Sequence, residues 1–171
     1  METWDAITTR RNVREYDRRP IPAEHLDRIL EAGRRSPSSK NEQPWDFVVV
    51  TQRAALQRLA DVWRFGRHIA GAAAAVALLS PASGDPDARE TYAFDLGQAG
   101  MSMMLAAADL GIGSCHSAIG DQAVARAALG HPEDRKCVIV LSLGYPAGRR
   151  LVPIEEPNRR PFADVVHRER W

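Results

Sequence analysis

One stretch, ETYAFDLGQAGMSMMLAAADLG at residues 90–111, constrains the fold more than any other part of the chain. Its composition favours a helix, but its large apolar side chains would point in all directions around that helix. A helix that is apolar all round is buried all round. In a chain of 171 residues, this predicts a central helix covered on one side by its own sheet and on the other by a second subunit. The side chains concerned are Phe94, Leu96, Met101, Met103, Met104, Leu105 and Leu110.

Apolar periodicity elsewhere predicts an α+β fold, because helices and strands mix without a regular βαβ repeat. We expect a single domain spanning residues 1–171, since a chain of this length builds one core. Alanines leave a helix open as the alternative to a strand at residues 71–80. The expected helices lie within 5–11, 21–37, 52–65 and 121–130, and the expected strands at 46–51, 71–80 and 136–146.

Three segments are expected to lie outside regular structure. Residues 81–90 contain two prolines and a glycine and predict a flexible connection. Residues 111–120, GIGSCHSAIG, predict a loop that begins with a helix cap. Residues 149–171 are too polar and proline-rich to pack on themselves, so this tail should lie across another surface.

Charge and composition exclude several classes of function. Lys and Arg number 23 and Asp and Glu 22, a net charge of +1, which argues against a nucleic-acid or anionic-membrane surface. Two cysteines make no disulfide framework, and no apolar run predicts a membrane span or a signal peptide, so we expect a cytoplasmic protein. The five histidines show no metal-ligand spacing, so no metal site is expected.

Sequence motifs for common chemistries are absent or weak. No G-x-G-x-x-G follows a strand, and neither a P-loop nor a G-x-S-x-G is present. Cys137 lies in an apolar run that predicts core. Cys115 stands beside His116, but adjacent residues rarely point at each other, so a cysteine nucleophile is disfavoured.

Two loops have an unusual composition. TTRRNVREYD, at residues 8–17, carries three arginines, whose planar guanidinium groups match the oxygens of a phosphate. SPSSKNEQPW, at residues 36–45, gathers hydroxyl and amide groups into one short stretch. On composition alone, each could equally be a solvated turn.

In their order and spacing, these segments resemble the nitroreductase family of FMN-dependent flavoproteins, in its short form. The resemblance covers almost the whole chain. The matching segments are R-R-x-V-R-x-Y at 10–16, P-I-P at 20–22 with the helix after it, P-S-S-x-N-x-Q-P-W at 37–45, D-L-G-Q-A at 95–99, L-G-I-G-S-C at 110–115, L-G-Y-P at 143–146 and RRPFADVVHRERW at 159–171.

The resemblance implies a nitroreductase-like fold with a central mixed β-sheet flanked by helices, and a homodimer with FMN at the subunit interface and the tail extending onto the partner. Arg10, Arg159 and Arg160 would take the FMN phosphate, and Arg14 would approach the pyrimidine edge of the ring. Ser117 and Ala118 fall where relatives offer backbone N–H groups to flavin N5. The residues expected to bind FMN are Arg10, Arg11, Asn12, Arg14, Pro37, Ser38, Ser39, Asn41, Gln43, Ser117, Ala118, Arg159 and Arg160.

The implied activity is an oxidoreductase that takes electrons from NADH or NADPH and passes them to a nitroaromatic, a quinone or a similar small planar acceptor in a ping-pong cycle. His116 stands where many relatives carry an aromatic residue, and Arg67 or His68 could supply the basic group that relatives place before the second strand. These three are the expected substrate-binding residues. No protein acid or base is required for hydride transfer, so no catalytic residue is assigned. Other flavin chemistry, such as flavin fragmentation, dehalogenation or ring oxidation, and flavin binding without turnover remain open on the same scaffold.

Overall fold

The computed structural model describes residues 1–171 as a four-stranded sheet with helices on both faces. The helices are α1 (Thr3–Thr9), α2 (Ala23–Arg34), α3 (Arg53–Leu59), α4 (Arg67–Gly71), α5 (Pro86–Asp109) and α6 (Gln122–Leu129). The strands are β1 (Asp46–Val50), β2 (Ala74–Pro81), β3 (Gly113–Ser117) and β4 (Arg135–Gly144). The α+β class predicted from the sequence is confirmed.

The strand order is β1-β2-β4-β3, and each neighbouring pair is antiparallel. We expected a mixed sheet, and the four strands of one chain do not form one. Parallel pairing is limited to an isolated bridge between Asn12 and Ser114. The direction of a strand depends on which distant segment it pairs with, and a short apolar run does not carry that information.

Strand β2 lies at the centre of the core and is buried along nearly its whole length. Its side chains alternate between the two faces of the sheet. Val76 and Leu78 pack with residues of α2 and α5, such as Ile29 and Met103. Ala75 and Ala77 pack on the other face with residues of α3, α4 and α6. Residues 71–80 therefore contain the strand that we favoured over a helix.

Helix α5 is the long central helix that the apolar segment predicts, and it begins earlier than expected. Asp85 caps it by accepting a hydrogen bond from the N–H of Asp87, and Pro86 occupies the first turn. The prediction of a flexible connection over 81–90 is therefore wrong for its second half, because Asp-Pro is a helix start signal. One side of α5 is buried on the sheet and α2, whereas Phe94 and Met101 on the outer side are exposed in a single chain.

Residues 111–120 do not form the loop that we predicted, because they contain β3. This strand pairs with β4 along five residues, and its other edge accepts a hydrogen bond from the N–H of Val13 to the carbonyl of Ser114 at 2.9 Å. A Cβ on Gly113 would lie 2.8 Å from the side chain of Val13, so this close approach requires glycine. Glycine and serine have low strand propensity, and the strand forms because tertiary pairing overrides that preference.

The helix expected over 52–65 ends early. It is α3 followed by a single 3-10 turn at Ala60–Val62, after which Trp63 is extended. The tail makes few contacts in one chain, and nearly all of residues 152–171 are exposed. One backbone hydrogen bond, from Ile154 N–H to the carbonyl of Thr8, joins it to α1. None of the helices combines the length and the apolar character needed to span a bilayer.

Candidate functional site

The arginine-rich segment leaves α1 and runs along the free edge of β3. Arg10 is the C-cap of α1, and Asn12 bridges to Ser114. The extended backbone turns neighbouring side chains to opposite sides. As a result Arg10 and Arg11, although adjacent, have different surroundings.

Arg10 lies in a hollow of about 550 Å³ between α1, α5 and the tail, which we call the arginine hollow. The tail residue Arg159 lines the same hollow, so two cations predicted to share one anion are brought together within one chain. The nearest polar partner of the Arg10 guanidinium is Asn12 Oδ1 at 3.5 Å. The remaining walls contain no carboxylate and are formed by Trp4, Ile7, Thr8, Met101, Leu105, Ile154 and Pro157.

Arg160, the third arginine predicted to bind the phosphate, and Arg11, another predicted FMN-binding residue, lie elsewhere. Arg11 donates from Nη2 to the carbonyl oxygens of Arg149 and Arg150, so it fastens the start of the tail to the N-terminal segment. Arg160 donates from Nη2 to the carbonyl of Asp164 at 2.8 Å and does not line the arginine hollow. In one chain these two guanidinium groups thus bond backbone carbonyls.

A second cavity, of about 450 Å³, opens where β3 ends beside α4. We call it the histidine pocket, because His68 and His116 both line it. The guanidinium of Arg14 also faces it. No carboxylate contributes to the lining, so the pocket is a site for electron-rich or anionic groups. Its residues are Arg14, Trp63, Phe65, His68, His116, Ser117 and Ala118.

His68 is held by a buried hydrogen-bond network. Its Nδ1 lies 2.7 Å from Ser142 Oγ, and Tyr16 Oη lies 2.7 Å from the same oxygen. The Tyr16 hydroxyl also donates to the carbonyl of Val13 at 2.6 Å. Burial, together with the charges of Arg14 and His116, lowers the pKa of His68, which favours a neutral imidazole in the pocket.

Sequence reasoning missed Tyr16 and Ser142 as parts of the site. The available signal was a serine in the middle of the apolar run of β4, where a buried hydroxyl needs a partner. Burial also raises the pKa of Tyr16, which keeps the phenol protonated as a donor. The network therefore fixes the orientation of the His68 ring through its Nδ1 atom, on the buried side of the ring.

Of the two basic candidates before the second strand, the structure brings only His68 into the pocket. Arg67 begins α4 on its exposed side and does not line the cavity. Cys115 points away from its exposed neighbour His116 into the core, and burial raises the pKa of its thiol. This geometry agrees with the prediction that Cys115 is not a nucleophile, and Cys137 is core as expected.

The second predicted cofactor segment, residues 37–43, lies apart from both cavities. Its hydrogen-bond partners are Asp95 on α5 and residues of the loop itself. At a rise of about 1.5 Å per residue, Asp95 lies roughly 15 Å along α5 from Leu105, which lines the arginine hollow. Pro37, Asn41 and Gln43 are exposed in the single chain, with Ser38 and Ser39 partly covered.

This α+β architecture carries two cavities that are lined by arginine side chains and contain no carboxylate. A sequence profile of the nitroreductase family matches residues 7–64 and 62–145, most of the chain. The chain belongs to the nitroreductase family.

Relatives and solved structures agree with that assignment. An Archaeoglobus fulgidus protein named "Putative NADH dehydrogenase/NAD(P)H nitroreductase" is 34% identical over 99% of both chains. A crystal structure from Parabacteroides distasonis with the same name is 26% identical, covers 99% of this chain and 98% of its own, and has a TM-score of 0.85. A Clostridium difficile structure titled "FMN-dependent Nitroreductase" is 23% identical, covers 98% and 99% of the two chains, and also has a TM-score of 0.85. These names support an oxidoreductase.

Proposed function

We propose that this protein is an FMN-dependent oxidoreductase that uses NADH or NADPH to reduce nitroaromatics, quinones or similar small planar acceptors by a ping-pong mechanism. The observation that carries the proposal is that arginine side chains line two open cavities in which no acidic side chain is present. Arg10 and Arg159 share one hollow, Arg14 faces a second, and neither cavity contains a carboxylate. Guanidinium groups that line a cavity without a carboxylate partner are suited to bind an anion.

The residues present fit FMN. The arginine hollow offers two cations for a phosphate and apolar walls beside them, and the C. difficile relative is named as FMN-dependent. In the histidine pocket, Arg14 would face a polar ring edge, and Ser117 and Ala118 would offer backbone N–H groups. When bound, FMN would supply the two-electron chemistry, accepting hydride from the nicotinamide and passing electrons to the acceptor.

The pocket walls suit a flat ring that carries electron-rich oxygen atoms at its rim, as nitroaromatics and quinones do. Trp63 and Phe65 present aromatic faces, and the Arg64 guanidinium lies 4.7 Å from the centroid of the Phe65 ring. His68 and His116 would add hydrogen-bonding groups at the entrance. Stacking with oriented polar contacts is the mode in which small aromatic molecules bind.

We further propose that the active unit is a cytoplasmic homodimer with two FMN sites at its interface. Trp4, Phe94 and Met101 form an exposed apolar surface along α1 and α5, with Trp4 71% and Phe94 67% exposed. Apolar surface of this kind marks an interaction site. Arg160 of the exposed tail and the loop at 37–43 would complete a site on the partner, since neither lines the two cavities in one chain.

Absorbance spectroscopy tests the proposal. We expect the purified chain to bind FMN, and the flavin band to bleach under anaerobic conditions when NADPH or NADH is added. A nitroaromatic or a quinone should then restore the band. An Arg14→Ala variant should lose FMN affinity by about tenfold or more, the value of one charged hydrogen bond.

The matched control is Arg18→Ala, which removes an exposed arginine near the same segment but outside both cavities. It should leave FMN binding unchanged. A flavin that binds and stays oxidised with both nicotinamides would contradict the reductase and favour a flavin-holding protein. A chain that binds no FMN would contradict the whole proposal.

A further inference from the structure

The carboxylate of Asp95 is almost fully buried, with 1% of the residue exposed, in the middle of α5. It belongs to the D-L-G-Q-A segment, to which the proposed chemistry gives no task. No salt bridge neutralises it. Its hydrogen-bond partners are the backbone N–H of Ser39, at 3.0 and 3.1 Å from the two carboxylate oxygens, and the Ser39 hydroxyl at 3.5 Å.

The segment that Asp95 holds is under conformational strain. Within 37–43, three residues other than glycine have left-handed backbone angles: Lys40 at φ 51°, Asn41 at φ 59° and Gln43 at φ 51°. Side chains disfavour this region, so such a conformation persists only where the surroundings impose it.

The loop has few contacts that could impose this conformation. The Ser38 hydroxyl accepts a hydrogen bond from the N–H of Gln43, and the Gln43 amide donates to the carbonyl of Asn41. Both bonds lie within the loop and move with it. Among the side-chain hydrogen bonds of residues 37–43, those between Ser39 and Asp95 are the ones that reach the core.

We propose that Asp95 is a positioning residue whose buried carboxylate fixes the strained conformation of residues 37–43 and thereby prepares this loop for the cofactor of the partner subunit. The effect on the cofactor rests on the proposed FMN site, whereas the effect on the loop does not. A buried carboxylate with no cation beside it is costly, and its bonds to a backbone N–H are of the strong, charge-assisted kind.

Lysine-specific proteolysis of the FMN-free protein tests the loop directly. The chain has two lysines, Lys40 at the centre of the loop and Lys136 within β4. An Asp95→Asn variant keeps the shape of the side chain but loses its charge and one acceptor. We expect cleavage after Lys40 to accelerate at least about tenfold, from the value of a charged hydrogen bond, while Lys136 stays protected by the folded sheet.

A reciprocal variant removes the donor in place of the acceptor. Ser39→Pro deletes the N–H that Asp95 accepts, and proline suits the first position of the 3-10 turn Ser39–Asn41 after the extended Ser38. This variant changes a partly exposed loop residue and leaves the core intact. If Asp95→Asn fails to fold, Ser39→Pro still tests whether the bond between Asp95 and Ser39 holds the loop. Asp87→Asn, which alters an exposed carboxylate of the same helix, is the control and should match the unmodified protein.

FMN titration of the same proteins separates the two parts of the proposal. We expect both loop variants to bind FMN at least about tenfold more weakly than the control. Unchanged cleavage at Lys40 in both variants overturns the proposal. Faster cleavage with unchanged FMN affinity overturns the positioning role. If the unmodified protein binds no FMN, the proposed function fails, and the rates at Lys40 still decide whether Asp95 holds the loop.

Discussion

The histidine pocket and the C-terminal tail both carry basic side chains expected at the cofactor, yet one chain completes only the pocket. In the pocket, His68 is buried and bonded through Ser142 to Tyr16, so three segments far apart in sequence orient one ring. In the tail, Arg159 and Arg160 are exposed, and their hydrogen-bond partners are nearby carbonyls of the tail itself.

The difference shows which part of a binding site the folding of one chain can determine. The pocket lies at the edge of a packed sheet, where buried polar groups must be paired. The tail is too polar to bury its own surface, so its final position depends on a second surface. The predictions below test this division, from the largest expected effect to the smallest.

Removal of the tail should separate folding from cofactor binding. Deletion of residues 151–171 leaves the sheet and both helical layers, so we expect the unfolding temperature to change little. FMN affinity should fall by roughly two to four orders of magnitude, because each lost charged hydrogen bond is worth roughly 1.5–3 kcal/mol and two arginines are removed. FMN titration and thermal unfolding measure the two effects. A shortened chain that still binds FMN normally would show that the tail is not needed to complete the cofactor site.

A charge on the outer side of α5 should dissociate the dimer. Phe94→Glu places a carboxylate on the exposed apolar surface outside the arginine hollow, where burial against a partner would desolvate it. We expect the dimer dissociation constant to rise about a hundredfold in analytical ultracentrifugation. Val49→Glu makes the same kind of change at an exposed position on β1 and should have no such effect. Equal dimer stability in both variants would show that the apolar surface of α5 is not the interface.

Removal of the Ser142 hydroxyl, which bonds both His68 and Tyr16, should lower the stability of the folded protein. Ser142→Ala leaves His68 Nδ1 without its partner in a buried site, so we expect a loss of about 1–3 kcal/mol in the free energy of unfolding. Tyr16→Phe should cost less, since His68 keeps its bond to Ser142. Denaturant unfolding of both single variants and the double variant measures the coupling. Fully additive losses would mean that the three groups do not act as a network.

The smallest expected effect is a pH dependence from His68. Its folded pKa lies below the ordinary 6.5, so in mildly acidic solution the unfolded chain binds a proton that the folded chain does not. The stability from this group is therefore complete above about pH 6.5 and decreases as the pH falls from there towards the folded pKa. His68→Gln should flatten this part of the stability profile, which denaturant unfolding at several pH values would measure. An unchanged slope would indicate that His68 titrates normally in the folded protein.

Local patterns predicted much of the fold and part of the site. The apolar segment predicted α5, the β-branched runs predicted β1 and β4, and the order of the motifs predicted the family. The family resemblance implied different roles for Arg10 and Arg14, and the structure places them at two different cavities. Predictions failed where propensity and tertiary pairing disagree, as in β3, which consists of glycine, two serines, cysteine and histidine.

By itself, the sequence determined the elements with strong periodicity, the absence of a strong net charge and the membership of the nitroreductase family, because these depend on residue types and short spacings. Only the tertiary structure decided that Arg11 bonds the tail while Arg10 lines the arginine hollow. The same is true of the entry of His68, and not Arg67, into the histidine pocket. It is also true of the hydrogen bonds between Asp95 and Ser39. Such choices depend on which distant backbone groups meet in the core. The spacing of residues along the sequence does not contain information about contacts between distant segments.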